Sequence, residues 1–256
     1  MGRLTAIALP PLPEVRAGDD LAELIAAAWR DAAAREPELA PRDGDVLVVT
    51  QKVVSKAEGR VVNLRTIEPR PAAVEFASRW GRDARQVEVV LRESAAVLRM
   101  ERGIVISRTK HGFVCANAGV DASNTGAREM VTLLPDDPDA SAARLRERLR
   151  EDVGVDVAVV ISDSFGRPWR FGIVDVALGV AGFSPLDDRR GQPDADGRIM
   201  NSTIVAVADQ IASAAELAAD KTSRRPVVLV RGVTLPVGAG TVGADVVMPA
   251  EMDLFK

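Results

Sequence analysis

The sequence predicts a mixed α+β fold, with mixed sheets and helices packed against them. Strongly β-prone runs stand at 45–50 (DVLVVT), 157–162 (VAVVIS) and 226–232 (PVVLVRG), with a fourth strand candidate at 103–109 (GIVISRT). Between them, apolar residues recur at helical spacing. The two kinds of segment do not alternate regularly, which disfavours a doubly wound parallel sheet.

In chain order, Leu21, Leu24, Ile25, Ala28 and Trp29 form a helical stripe over 19–36, with Asp19 or Asp20 placed to cap it. The run 45–50 is a buried strand, and the segment after it, 50–60, reads as a loop beyond the strand end. Residues 83–99 put Val87, Val90, Leu91, Ala95 and Leu98 on one stripe and predict a second helix. A third begins at Pro138-Asp139 and runs to 152; its alternating Arg and Glu predict a solvated helix. The fourth, 202–219, is rich in small residues, which suits close packing against another helix or a second subunit.

With 256 residues, 47% of them hydrophobic, the chain can bury a real core, and it reads as one domain over 1–256. A net charge of −4 gives no reason to propose a nucleic-acid partner. The single cysteine, Cys115, excludes an intrachain disulfide and suits a reducing compartment. No run approaches the roughly 20 apolar residues of a membrane span, and the N-terminus lacks a signal-peptide pattern. The expectation is a cytoplasmic protein.

Four stretches are chemically loaded. TQKVVSKAEGR, 50–60, places Lys52 and Lys56, two of only five lysines, beyond a strand end, where ligand sites are built. They read either as phosphate-facing cations or as ordinary surface lysines. KHGFVCANAGVDASNTG, 110–126, packs Asp121 and Asn124 into a turn-rich run that suits a hard cation or a nucleotide. One His and one Cys nearly exclude a soft zinc site, and a His111–Cys115 dyad is disfavoured. VAVVISDSFGRPWRFG, 157–172, delivers Asp163 and Ser164 from a buried strand, as a Mg²⁺-binding carboxylate and hydroxyl would be delivered. Arg167 and Arg170 behind them suit anions; a plain turn is the competing reading. LPEVRAGDD, 12–20, is a rigid loop entering a helix. No P-loop or G-x-G-x-x-G pattern exists, so any nucleotide site here is of another kind.

In this order the four stretches resemble the coenzyme F420-0:γ-glutamyl ligase family, from about residue 5 to residue 232. GDVLVVTQKVVSKAEGR, NAGVDASN, SDSFGRPWR and VAVADQIASAAELA carry the likeness most specifically. The resemblance implies an intertwined homodimer and GTP-dependent amide ligation. The carboxylate of F420-0 takes the γ-phosphate of GTP, and the amine of L-glutamate then displaces phosphate. It implies two Mg²⁺ or Mn²⁺ ions, helped by K⁺. Asp121, Asp163 and Ser164 match metal ligands; Leu12, Pro13, Glu14, Val15, Gln51, Lys52, Lys56 and Asn124 match nucleotide contacts. Arg167 and Arg170 are our own inference for anion contacts.

Two departures matter. Many bacterial relatives read Asn-Gly-Gln-Thr-Asp where this chain has FGIVD, 171–175. The archaeal form has a metal-binding Glu before its last strand, where this chain reads AADKTSRRP, 218–226. Asp220 substitutes for it, or Lys221 takes over charge neutralisation. A ligase joining a different acid and amine, and a nucleotide-binding subunit without catalysis, are the alternatives. Some bacterial relatives carry a nitroreductase-like domain after the ligase domain. It is absent from this chain, so a stand-alone ligase and part of a longer chain both fit.

Overall fold

The structure is a computed structural model and describes residues 2–123, 129–219 and 223–254. Strand β1 (Thr5–Ala8) and helix α1 (Leu21–Arg35) lead to β2 (Val46–Thr50), α2 (Gln51–Ala57) and β3 (Val61–Asn63). Helices α3 (Pro71–Trp80) and α4 (Ala84–Glu93) precede β4 (Ser94–Glu101), β5 (Ile104–Thr109) and β6 (Val114–Ala116). After β7 (Met130–Thr132) and α5 (Pro138–Val153) comes a long hairpin, β8 (Ala158–Arg167) and β9 (Arg170–Ala181). Short strands β10 (Leu186–Asp188) and β11 (Ile204–Ala206) precede α6 (Val207–Ala219) and β12 (Val227–Arg231).

The main sheet has the order β1-β12-β2-β8-β9. Only β2 and β8 pair in parallel, with Thr50 opposite Ser162; the other neighbours are antiparallel. Both faces of the sheet are covered, which is why its central strands read as unbroken apolar runs. On one face Leu47, Val49, Val159 and Ile161 pack against α1 and α5. There Trp29 is fully buried and donates its indole N–H to Leu39 O at 2.7 Å. On the other face Val46, Val48, Val160 and Val228 pack against α6. Gly179 lets β9 touch the start of α5, since a Cβ there would lie 2.3 Å from the Pro138 carbonyl. A smaller body joins α3 and α4 to the sheet β4-β5-β6 and the ribbon β3-β7.

The mixed architecture matches the expectation, but several boundaries differ. The helix expected over 83–99 stops at Glu93; Ala95 and Leu98 lie in β4, at the two irregularities in its pairing with β5. Tertiary strand pairing overrides the helical period there. The segment after β2 is the helix α2, not a loop. Asp20 caps α1 through Glu23 N. Asp137 caps α5, which is only half solvated because Ala142, Leu145 and Leu149 face the core. The small residues of α6, Ala208, Ala212 and Ala215, are buried within the chain, so they need no second subunit to explain them.

Glu88 of α4 is the best-anchored charge of the smaller body. Buried, it accepts bonds from Arg70 N, Nε and Nη2 at 2.9–3.0 Å and from Arg92 Nε at 2.8 Å. Arg70 above all, against the opposing effect of burial, holds its carboxyl down at about 2. Glu88→Gln should therefore cost about 1.5–3 kcal/mol at neutral pH, the scale of a hydrogen bond to a charged group. A depressed carboxyl stabilises above its unfolded value of 4.5 and loses that contribution as pH falls towards about 2. Urea unfolding should show the difference between wild type and variant narrowing across that window.

Candidate functional site

The parallel pairing of β2 and β8 brings two strand ends together. Thr50 ends one, and Ser162, Asp163 and Ser164 continue the other into the hairpin. Helix α2 starts at Gln51, so Lys52 and Lys56 share one face of its first two turns. Lys52 Nζ lies 2.6 Å from Asp121 Oδ2.

Asp121 reaches this point through a strained turn. Asn117, Ala118 and Gly119 all have positive φ, at 53°, 50° and 70°. Asn tolerates that conformation and Gly favours it. Asn117 Oδ1 also accepts from Val105 N at 3.1 Å, and a Cβ on Gly119 would lie 2.7 Å from Leu134. The chain then bonds Asp121 to Thr132 through both backbone groups, beside β7. The NAGVD motif is thus a device for delivering one carboxylate.

Asp163 completes the cluster. Burial first, then the neighbouring charges of Asp121 and Asp175, push its carboxyl up to about 6, against the Ser164 amide and Lys52. Burial also opposes the charge on Asp121, yet Lys52 and the Ser123 amide outweigh it and hold that carboxyl below its usual range. Asp121 and Asp163 share the one ammonium of Lys52, and hard oxygen donors of this kind fit a divalent cation such as Mg²⁺ or Mn²⁺. Among the described residues no group of three Asp, Glu, His or Cys side chains is placed to hold a metal ion; a Mg²⁺ bound through one or two carboxylates plus phosphate does not require one.

Ser164 differs from the expected picture. In an extended strand its side chain and that of Asp163 project to opposite sides. Ser164 Oγ donates to Asp175 Oδ1 at 2.6 Å, and Ser162 Oγ to Asp175 Oδ2 at 3.2 Å. Asp175 lies opposite Ser164 in the register of the hairpin.

The two expected nucleotide segments do meet. Lys56 Nζ bonds Glu14 Oε1 at 2.6 Å, and this bond holds the Glu14 carboxyl below its usual range. Lys56 is mostly buried and helical, not an exposed loop lysine as expected. Val15 is a core residue and Leu12 packs against the core, so within 12–15 only Pro13 and Glu14 expose their side chains freely. Gln51 is buried; its Oε1 accepts from Ser55 Oγ at 2.8 Å, while its Nε2 has no bond among the described residues.

Arg167 and Arg170 are not drawn into the cluster. They pair at the hairpin tip, around Pro168 and Trp169, the latter with φ 55°. Four residues of strand separate Arg167 from Asp163, roughly 13 Å. Asn124, Asp220 and Lys221 lie outside the described residues. The clefts of about 430 Å³ beside Arg231 and about 860 Å³ beside the start of α5 do not include the cluster. Cys115 is buried, and burial and then Asp163 push its thiol up to about 12, so it offers no thiolate. His111 stacks on Phe113 and bonds Pro135 O at 2.8 Å.

Sequence reading missed Asp175 and Glu216. Glu216 Oε2 accepts from Asp175 N at 3.0 Å. The available signal was the acid that closes FGIVD, but its meaning depends on knowing that this segment pairs with SDSFG.

The family described as F420-0:Gamma-glutamyl ligase matches residues 11–232. A coenzyme F420:L-glutamate ligase of Methanopyrus kandleri is 48% identical over 237 residues, covering 91% of this chain and 90% of its own. Proteins of the same description are 42% identical in Methanothermobacter thermautotrophicus, over 99% of both chains, and 41% in Methanocaldococcus jannaschii, over 84% of this chain and 85% of its own. The gathered carboxylates, the NAGVD turn and the SDSFG hairpin all fall inside the matched region, and the chain belongs to the F420-0:γ-glutamyl ligase family.

Proposed function

We propose that this ligase joins L-glutamate to coenzyme F420-0 at the expense of GTP, through an acyl phosphate. The convergence of Lys52, Asp121 and Asp163 from three separate segments carries this reading, in a chain of this family. A carboxylate is a poor electrophile, and phosphorylation gives it a leaving group. A carboxylate oxygen of F420-0 bonds to the γ-phosphorus as the bond to the GDP oxygen breaks. The glutamate nitrogen then bonds to the acyl carbon, phosphate leaves, and the amine proton passes to solvent.

Both partners in the first step are anions, so the protein must supply positive charge where they meet. Asp121, Asp163 and Ser164 would hold divalent metal, which neutralises charge on the phosphoryl oxygens when bound. Lys52 balances Asp121 beside it. Lys56 and Glu14 would hold the nucleotide segments together, with Gln51 at the start of α2. The single buried, unpaired cysteine suits a cytoplasmic enzyme.

A homodimer belongs to this reading. Trp169, Phe171 and Ile173 stand exposed near the hairpin tip, a concentration of apolar surface that a second copy would cover. Light scattering at micromolar concentration should report a dimer; a monomer would overturn this.

Asp163→Asn should keep the circular dichroism spectrum while cutting ligation at least about a hundredfold, the scale of a lost electrostatic element of a transition state. The assay is product mass after incubation with GTP, Mn²⁺, L-glutamate and F420-0. Absence of glutamylated product from wild type would overturn the substrate assignment, and GDP formation with another acid or amine would favour a related ligase.

Lys56→Ala should weaken GTP binding roughly ten- to a hundredfold, the loss of one charge-assisted hydrogen bond. Its ion pair with Glu14, which is 62% exposed, adds little to folding. Calorimetric titration with Mn²⁺ present decides it, and unchanged affinity would remove Lys56 from the nucleotide site.

A further inference from the structure

We infer that the cleft of about 430 Å³ beside Arg231 binds a small molecule carrying an oxyanion, a phosphate or a carboxylate, on a short apolar body. This site is separate from the cation cluster and does not depend on the reading above. Arg231 ends β12, whose Val230 pairs with Val46, so the cleft opens beyond the Val46 end of β2. Lys52 follows the other end, at Thr50. Four residues of strand, roughly 13 Å, lie between the two ends.

A buried carboxylate builds the cationic wall of the cleft. Asp45, 1% exposed, accepts from Arg231 Nε at 2.7 Å and Nη2 at 2.6 Å, and from the Arg42 amide at 2.9 Å. Arg231 also donates to Ala40 O at 2.9 Å and, through Nη1, to Glu38 O at 2.6 Å, which fixes its guanidinium. Arg42 Nη2 donates to that same Glu38 carbonyl at 3.2 Å, so two guanidiniums stand side by side. Arg3 is the third cation of the lining. Its backbone is pressed against Gly232, where a Cβ would lie 2.0 Å from Arg3 O. Arg231 is matched by Asp45, but among the described residues no carboxylate pairs with Arg3 or Arg42. Glu38 also lines the cleft, and its one charge leaves those two guanidiniums in excess. An oxyanion placed between them would take their open N–H groups as charge-assisted hydrogen bonds. The floor is apolar, made of half-buried Ile7 with Leu39 and Leu229 of the core. A few fixed cations over an apolar floor fit a small organic anion better than a bare inorganic one.

Phenyl phosphate and benzoate are the probes, with inorganic phosphate and benzyl alcohol as controls for the charge alone and the ring alone. Each is titrated into the full chain by calorimetry at low ionic strength. Phenyl phosphate, benzoate or both should bind saturably, and the arm that binds identifies the oxyanion. Combining Arg3→Ala with Arg42→Ala should weaken that binding ten- to a hundredfold, the loss of charge-assisted hydrogen bonds. Circular dichroism checks the fold; if the double variant does not fold, Arg3→Gln with Arg42→Gln takes its place under the same criteria. Lys56→Ala separates this cleft from the nucleotide segments, where an anion also has cations to meet. Probe binding that depends on Lys56 and not on Arg3 and Arg42 would overturn the inference, as would the absence of saturable binding by either probe. Inorganic phosphate binding as tightly as phenyl phosphate would overturn it too, since the apolar floor would then contribute nothing. Benzyl alcohol binding as tightly as benzoate would do the same for the arginines. GTP affinity should be unchanged in the double variant, so failure of the nucleotide assignment and failure of this inference are read from different titrations.

Discussion

The parallel pairing of β2 with β8 is the constraint on which the rest of the structure depends. It is the single parallel contact in the five-stranded sheet, and it aligns Val46 with Ala158 and Thr50 with Ser162. Parallel strands require a long crossover, here more than a hundred residues, and this one contains the whole smaller body with α3, α4 and the turn at Asn117–Gly119. Because both strands run the same way, their ends meet on one side. One releases helix α2 with Lys52; the other carries Asp163 onward into a hairpin. A one-residue slip would turn Asp163 to the side of the sheet where Ser162 and Ser164 now lie and send Ser164 to the other. Apolar residues packed on both faces fix the register against such a slip.

Charge is distributed differently in the framework and in the site. Asp45, 1% exposed, is matched by Arg231 in a two-pronged contact at 2.6 and 2.7 Å, and Glu88 is matched by Arg70 and Arg92. These framework acids have their partners inside the chain, which limits the desolvation cost of burying them. Around Asp163 the balance is left uneven. Lys52 serves Asp121 directly, while Asp163 sits beside the negative charges of Asp121 and Asp175. An uneven balance destabilises the protein by itself and favours binding of a cation. The positive φ of Asn117 and Ala118 is a second local cost at the same place, kept where it aims a carboxylate.

Several pieces of the fold and the site were legible in the sequence. The four β-prone runs are strands because hydrophobic runs of that length flanked by turn residues have few other uses. Asp121 stood out in its turn-rich run and Asp163 at the end of a buried strand, and the structure brings both to Lys52. Other features were not legible. Ala95 and Leu98 fit a helical stripe as well as a strand, and only the pairing of their neighbours Ser94, Ala96, Val97 and Arg99 with β5 decides between them. Arg167 and Arg170 looked close to Asp163 in sequence, but an extended strand spreads neighbours along about 3.3 Å per residue and carries them to the hairpin tip.

The sequence by itself determined the mixed fold class, the apolar strands and the cap of the first helix, because each of these follows from the chemistry of residues within a few positions of one another. The tertiary structure decided which acids share a site. Asp121 meets Lys52, Glu14 meets Lys56, and Asp175 meets Ser162 and Ser164 across 69, 42, 13 and 11 positions of chain. No local propensity encodes such meetings. They follow from strand register, from the face to which each alternate side chain is turned, and from the packing on both faces that holds the register in place.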